Sequence, residues 1–157
     1  MRLKKIIKQL EGKFPLELAE EWDNVGLLLD STRREIKSIM LCLDITRDIV
    51  DKAVANKVDL IISHHPFIFS PLKKITTDEV NGEKILKLAR NNIAVYSMHT
   101  NIDSGIGGLN DFIIKKIGQE GKVFAISDNR SIELRKLVTS DLIDAKDKII
   151  NPLRIQK

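Results

Sequence analysis

The sequence predicts an α/β fold, a layered βαβ sheet flanked by helices. Two observations lead there. Short apolar runs that end in polar residues alternate with segments whose apolar residues recur at helical spacing, and this unit occurs more than once. The chain has 157 residues, 43% of them hydrophobic and 31% charged, enough for a compact core. Aromatic residues make up only 4%, so that core must be mainly Ile, Leu and Val.

The elements follow in order. "LKKIIKQLEG" places Leu3, Ile6, Ile7 and Leu10 on one helical face, with Gly12 as its stop. "FPLELAEEWDN" reads as a helical turn and then a loop, and "VGLLLD" as a short strand. "IKSIMLCLDIT" is a near-continuous apolar run, the pattern of a strand buried on both faces. "TRDIVDKAVANK" carries Ile49, Val50, Ala53 and Val54 at helical spacing, with Thr46 as N-cap. The unit then repeats. The strand "VDLIISHH" leads through "PFIFSPLKKITTDEV" to the helix "GEKILKLARNN". The strand "IAVYSMHTNID" precedes the helix "GGLNDFIIKKIG", and "GKVFAI" offers one more strand. Residues 1–126 are expected to form the α/β domain, and 127–157 a divergent, charged tail with one or two short helices.

Composition excludes several function classes. The net charge of +4 is spread along the chain in short groups mixed with apolar residues. These read as solvated helix faces rather than a nucleic-acid footprint. No apolar stretch reaches the roughly 20 residues of a membrane helix, and no signal-peptide core follows the N-terminus. The single cysteine, Cys42, lies in an apolar run and reads as a core residue. A lone thiol without a disulfide framework suits a reducing compartment, so a soluble cytoplasmic protein is expected.

The chemistry gathers at strand ends. Side chains at the carboxyl ends of parallel strands share one edge, where ligands bind in open α/β sheets. "LCLD" ends in Asp44, "IISHH" in His64 and His65, and "YSMHTNID" in His99 and Asp103. All three histidines of the chain therefore meet at one edge. A single histidine at a strand end is usually just hydrogen-bonded, and Asp44 alone would serve as a helix cap. Their convergence points instead to a metal or catalytic site. Imidazole and carboxylate suit Zn²⁺, Mn²⁺, Fe²⁺, Co²⁺ and Ni²⁺. Neighbours on a strand point to opposite sides. Pro66 breaks the strand, however, and lets His64 and His65 reach two neighbouring ions bridged by a carboxylate such as Asp103. Asp44 and His99 suit the orientation of ligands or the movement of protons. A Ser63-based triad is disfavoured, because Ser63 and His64 do not face each other. "SGIGG" lacks the phosphate-loop ending, and its glycines read as a turn before a helix.

The segments "EEWDNVGLLLD", "LCLDIT", "DLIISHHPFIFSPLKKIT" and "VYSMHTNIDSGIGGLNDFI", in that order over roughly residues 1 to 120, resemble the Nif-three-like proteins. Bacterial members of that family are labelled GTP cyclohydrolase 1 type 2. The resemblance implies an α/β protein of two similar halves with two divalent metal ions between them, assembled as a ring-shaped homohexamer. It implies a small-molecule substrate, a nucleotide by the family label. His64, His65 and Asp103 match its first-half metal ligands, His99 a histidine lining the same site, and Trp22, Asp23 and Asn24 a loop near it. The family's second half supplies a late His and a Glu. No histidine follows His99 here, and Glu120 and Glu133 have no histidine partner. The expectation is a metal-dependent hydrolase of the cyclohydrolase type with an incomplete metal shell. The alternative is a non-catalytic metal-binding or interaction module, or a truncated fragment.

Overall fold

The computed structural model describes residues 1–33 and 35–116. These fall into two compact units, Met1–Gly105 and the residues from Ile106 onward. The boundary expected at 126/127, the "GKVFAI" strand and the tail helices lie outside the described residues.

The first unit is a mixed α/β layer structure. Its elements are α1 (Leu3–Lys13), a 3-10 turn (Leu16–Leu18), β1 (Gly26–Leu29), β2 (Ile39–Cys42), α2 (Arg47–Ala55), β3 (Leu60–Ser63), α3 (Val80–Arg90), β4 (Ala94–Ser97) and α4 (Thr100–Ser104). The sheet order is β1-β4-β3-β2. Strands β2, β3 and β4 are parallel, and β1 closes one edge antiparallel to β4. Gly26 opens β1 at φ +97°, a backbone conformation that side chains resist.

Each sheet face has its own core. Val50 and Ala53 of α2 and Ile85 and Leu88 of α3 pack with Ile61 and Val95 on one face. On the other, Leu3 and Ile6 of α1 pack with Leu60, Ala94 and Tyr96. The periodicity of the three long helices thus reports real buried stripes. Helix α1 runs one residue past Gly12, the expected stop, and ends when the Phe14 amide bonds the Leu10 carbonyl at 2.8 Å.

Helices α2 and α3 end in the same way. After each, one residue adopts a left-handed conformation: Lys57 at φ 52° and Asn92 at φ 57°. The next amide folds back on the helix, Val58 to the Ala53 carbonyl at 2.9 Å and Ile93 to Leu88 at 3.0 Å. This Schellman closure satisfies carbonyls the helix leaves open, and buries Val58 and Ile93 as each next strand begins. At the N-terminal end of α2, the Thr46 hydroxyl accepts the Ile49 amide, as expected of a cap.

The expectation that β2 is buried on both faces is overturned. Ile39 is 46% and Leu41 74% exposed. The apolar run is real, but β2 is the outermost strand. Helix α1 packs over β3 and β4 and leaves this face of β2 open, while Met40 and Cys42 face the α2–α3 layer. "TNID" is likewise not strand. The backbone turns helical at Thr100, and Asn101 ties the turn to α1 through a 3.1 Å bond to the Phe14 carbonyl.

In the second unit, α5 (Leu109–Lys116) follows Gly107 at φ +70°, whose amide donates to Asp111. This is the turn role expected of the "SGIGG" glycines. Among the described residues, no helix is long and apolar enough to cross a membrane.

Asp59 locks the amino-terminal side of the sheet. Its carboxylate accepts the Lys37 amide at 2.7 Å and the Ser38 amide at 3.0 Å, and meets Arg33 at 3.2 Å. Burial opposes its charge, but these amides and the guanidinium hold the carboxyl below its usual range. A carboxyl depressed in the folded state stabilises fully above its unfolded pKa of about 3.9 and loses that contribution as pH falls through the folded value. Asp59→Asn should therefore cost about 2 kcal/mol at pH 7. The gap from wild type in urea denaturation should shrink below about pH 4. An equal gap at both pH values would show that Asp59 acts by packing alone.

Candidate metal centre

The site is built by hydrogen bonds that carry the parallel ladder past its last strand residues. The His64 amide bonds the Cys42 carbonyl at 3.1 Å, the His65 amide bonds Leu43 at 3.0 Å, and the Met98 amide bonds Ser63 at 2.9 Å. Two buried serines stitch the turn. Ser63 Oγ donates to the His65 carbonyl at 2.9 Å and Ser97 Oγ to the His64 carbonyl at 3.1 Å. Ser63 is thus a scaffold group, 1% exposed, in keeping with the weak case for a triad.

His64, His65 and His99 come together. Their ring centroids stand 5.0, 5.1 and 5.5 Å apart. One nitrogen from each ring lies within 4.8 Å of the other two. Every Nδ1 faces an oxygen acceptor: the Met98 carbonyl for His64 at 3.0 Å, Asp44 for His65 at 2.7 Å, and Asp23 for His99 at 3.0 Å. A neutral imidazole that donates from Nδ1 keeps its lone pair on Nε2. Such partners fix the tautomer and orientation of metal-binding histidines.

The carboxylates differ in setting. Asp44 is half exposed and bonded to His65, so its contact here is a histidine rather than the cap of α2. Asp103 lies on α4 one turn beyond His99, with its amide on the His99 carbonyl, and its Oδ2 is 3.9 Å from His64 Nε2. Burial pushes the Asp103 carboxyl up from its ordinary value, against the pull of His64 and His99. Asp23 is buried. Burial opposes its charge, but hydrogen bonds from the Thr100 hydroxyl, from His99 and from the Thr100 amide hold it below the usual carboxylate range.

Reasoning from residue spacing did not find Asp23 or Thr100. Asp23 comes from a loop 76 residues before His99, and only the family likeness of "WDN" pointed to it. His99 was expected to handle protons beside the ligands, yet its ring stands in the same triangle as His64 and His65. Cys42 packs partly buried beneath the site. Burial, with the Asp44 charge, pushes its thiol up, against any role as a ready thiolate. A groove of about 610 Å³ opens beside His65, lined by Asp44, Thr46, Arg47, Phe67 and Lys84 among others.

Comparison with known proteins identifies the family and the fold. The family model described as Duf34/NIF3 (NGG1p interacting factor 3) matches residues 1–151. The chain belongs to the Duf34/NIF3 family. It is 36% identical over 133 residues to a Clostridium acetobutylicum protein named GTP cyclohydrolase 1 type 2 homolog, a match covering 85% of this chain and 50% of that protein. It is 41% identical over 117 residues to NIF3-like protein 1 of Drosophila melanogaster, covering 74% of this chain and 40% of that one. Among solved structures, a Bacillus cereus protein related to NIF3 superposes with a TM-score of 0.72 at 38% identity, over 79% of this chain and 34% of that chain. Reduced HcgD from Methanocaldococcus jannaschii gives 0.73 at 30% identity, over 94% and 60%. The chain spans half the length, or less, of these curated relatives.

The hydrogen-bond pattern makes a direct prediction. In metal-free protein at pH 8, all three neutral imidazoles should carry their proton on Nδ1, read by long-range ¹H–¹⁵N correlation. Asp44→Ala should release His65 alone into a tautomer mixture. A proton on Nε2 of any of the three in the wild type would contradict the pattern.

Proposed function

We propose that this Duf34/NIF3 protein binds divalent metal at the histidine triangle and hydrolyses a small-molecule ring, as a cyclohydrolase does. One observation carries the reading: three imidazoles, all the chain has, offer nitrogens within 4.8 Å of one another. The donor set fits the group, because neutral imidazole with an adjacent carboxylate is the usual shell for Zn²⁺, Mn²⁺, Fe²⁺, Co²⁺ or Ni²⁺.

In this reading His64, His65 and Asp103 hold two ions, and His99 stands with them. When bound, such ions act as Lewis acids and lower the pKa of water toward neutrality. The chain's own residues do the rest. The Met98 carbonyl and Asp44 hold His64 and His65 in register. Asp44 orients His65 through its Nδ1 and, half exposed beside the groove, exchanges a proton directly with water or substrate. Asp23 keeps His99 oriented by its ring nitrogen, and the buried serines hold the turn against distortion. The names of the relatives support GTP as the substrate to test first. Assembly with further copies, up to a ring of six, belongs to the same proposal. The open face of Ile39 and Leu41 supports it, since exposed apolar patches mark interaction surfaces.

A second reading has its own observation. The chain spans at most half of the two curated relatives above, and its described residues place three histidines and Asp103 at the site. Four side chains fill two ions only with water or another chain. On that reading the protein binds metal, or another protein, without turnover.

Elemental analysis of untagged protein purified without chelator separates the two. The expected result is about two divalent ions per chain, the content of a two-metal site. They should be lost in His64→Ala with His65→Ala. With Mn²⁺ or Zn²⁺ added, the wild type should open the guanine ring of GTP and the double variant should not. Metal without turnover would leave the binding module. Metal content unchanged in the double variant would remove the site altogether.

A further inference from the structure

Beside the histidine triangle stand two aromatic rings that the proposed chemistry does not use. Trp22, the only tryptophan in the chain, is 60% exposed, and Phe69 is 52% exposed. Their centroids are 6.1 Å apart and their planes are tilted by 56°. Trp22 also meets His99 edge-on at 6.2 Å. In a protein with only 4% aromatic residues, two large rings held side by side in water call for a physical reason.

Loose loop ends do not supply it, because both rings are carried on pinned backbone. The Glu20 amide donates to the Thr100 hydroxyl at 3.0 Å, and the Asp23 amide to the Glu20 carbonyl at 3.0 Å. Asp23 itself is locked to His99 and Thr100. Asn24 reaches across and donates from its side chain to the Ile68 carbonyl, the residue before Phe69. The Trp22 loop is thus bonded to the Phe69 segment on one side and to the His99 turn on the other. Polar bonds fix the backbone on either side of the apolar pair.

We infer that Trp22 and Phe69 form a stacking shelf for a planar heteroaromatic ring, and set the substrate class of the adjoining centre. The inference rests on the proposed metal-centre reading for its purpose, though not for its test. Ring faces bind flat π-systems with little regard to ring identity, and alanine substitution of one such contact weakens binding measurably. The shelf's continuity with His99 favours a small ring presented to the centre over a protein partner. Because the two planes are tilted by 56°, a flat ring stacked on the face of one meets the other by its edge, and both are favourable aromatic contacts. Specificity for a particular ring would then fall to the polar groups around the histidines.

The lone tryptophan is its own reporter. Emission excited at the red edge is followed while guanosine, nicotinamide or ribose is added to the full chain, both as isolated and after dialysis against chelator. The two flat rings, which carry no phosphate, should quench saturably, and ribose should not. Phe69→Ala keeps the reporter and should raise the dissociation constant about tenfold, within the range of one lost stacking contact. By equilibrium dialysis, Trp22→Phe should stay near wild type and Trp22→Ala should not. Quenching should survive His64→Ala with His65→Ala, so a failed metal centre and a failed shelf give different records. Absence of saturable quenching by either ring, or equal quenching by ribose, overturns the shelf. So does emission that depends on protein concentration, together with a mass that falls in Phe69→Ala, because the pair would then belong to an interface between copies.

Discussion

The parallel register of β2, β3 and β4 is the constraint on which the rest depends. Ile39 lies opposite Leu60, and Leu60 opposite Ala94, and the pairing stays in step to Cys42, Ser63 and Ser97. All three strands therefore end level. A slip of one residue would send Ser63 and His64 to the opposite sides of the sheet. The level ends let the amides of His64, His65 and Met98 continue the ladder where the strands themselves have stopped. The histidines thus stand on backbone nearly as fixed as a strand, yet free of the alternation that would part them. That is how adjacent residues come to present rings 5.0 Å apart on one side.

That register is set from the other end. Two helices close in the same Schellman turn and release Val58 and Ile93 into the core, so β3 and β4 start from equivalent points. Asp59 then fastens the backbone before β2 to the start of β3, and its own carbonyl accepts the Ala94 amide at 3.0 Å. Lys57 and Asn92 pay a conformational cost for this, since neither is glycine. Burial of the following Val and Ile offsets it. Burying one such side chain is worth about 1.5–3 kcal/mol, more than the roughly 1–2 kcal/mol of a left-handed residue.

Much of this is legible in the sequence, for identifiable reasons. The helices are legible because their apolar stripes really do face the sheet. Strands β3 and β4 are legible because a fully covered strand is apolar at nearly every position. The histidine edge is legible because topology alone brings parallel strand ends together. Strand β2 misleads for the complementary reason: Leu41 is as apolar as Ile62, and nothing local says that α1 stops short of it. "TNID" misleads because its polar residues suit a strand end as well as a helical turn. The choice is made by Asn101, whose side chain bonds Phe14 across 87 positions. Asp23 is beyond local reading altogether. Its partners His99 and Thr100 are fixed by tertiary folding, and no periodicity connects a loop to a strand end so far along the chain.

The protonation pattern bears on whether this triangle is structure or function. A histidine kept for packing satisfies both ring nitrogens, or leaves one in water. Here each Nδ1 donates to a dedicated oxygen, and the nitrogens that remain belong to three rings crowded within about 5 Å of one another. The backbone that carries them is held by two buried serines, the Asp23 carboxylate and a pinned loop. A cation placed among them would meet one nitrogen lone pair from each ring. Three Nδ1 positions already satisfied by carbonyl and carboxylate oxygen leave that charge the Nε2 side, and Asp103 stands 3.9 Å from one of those nitrogens to share it.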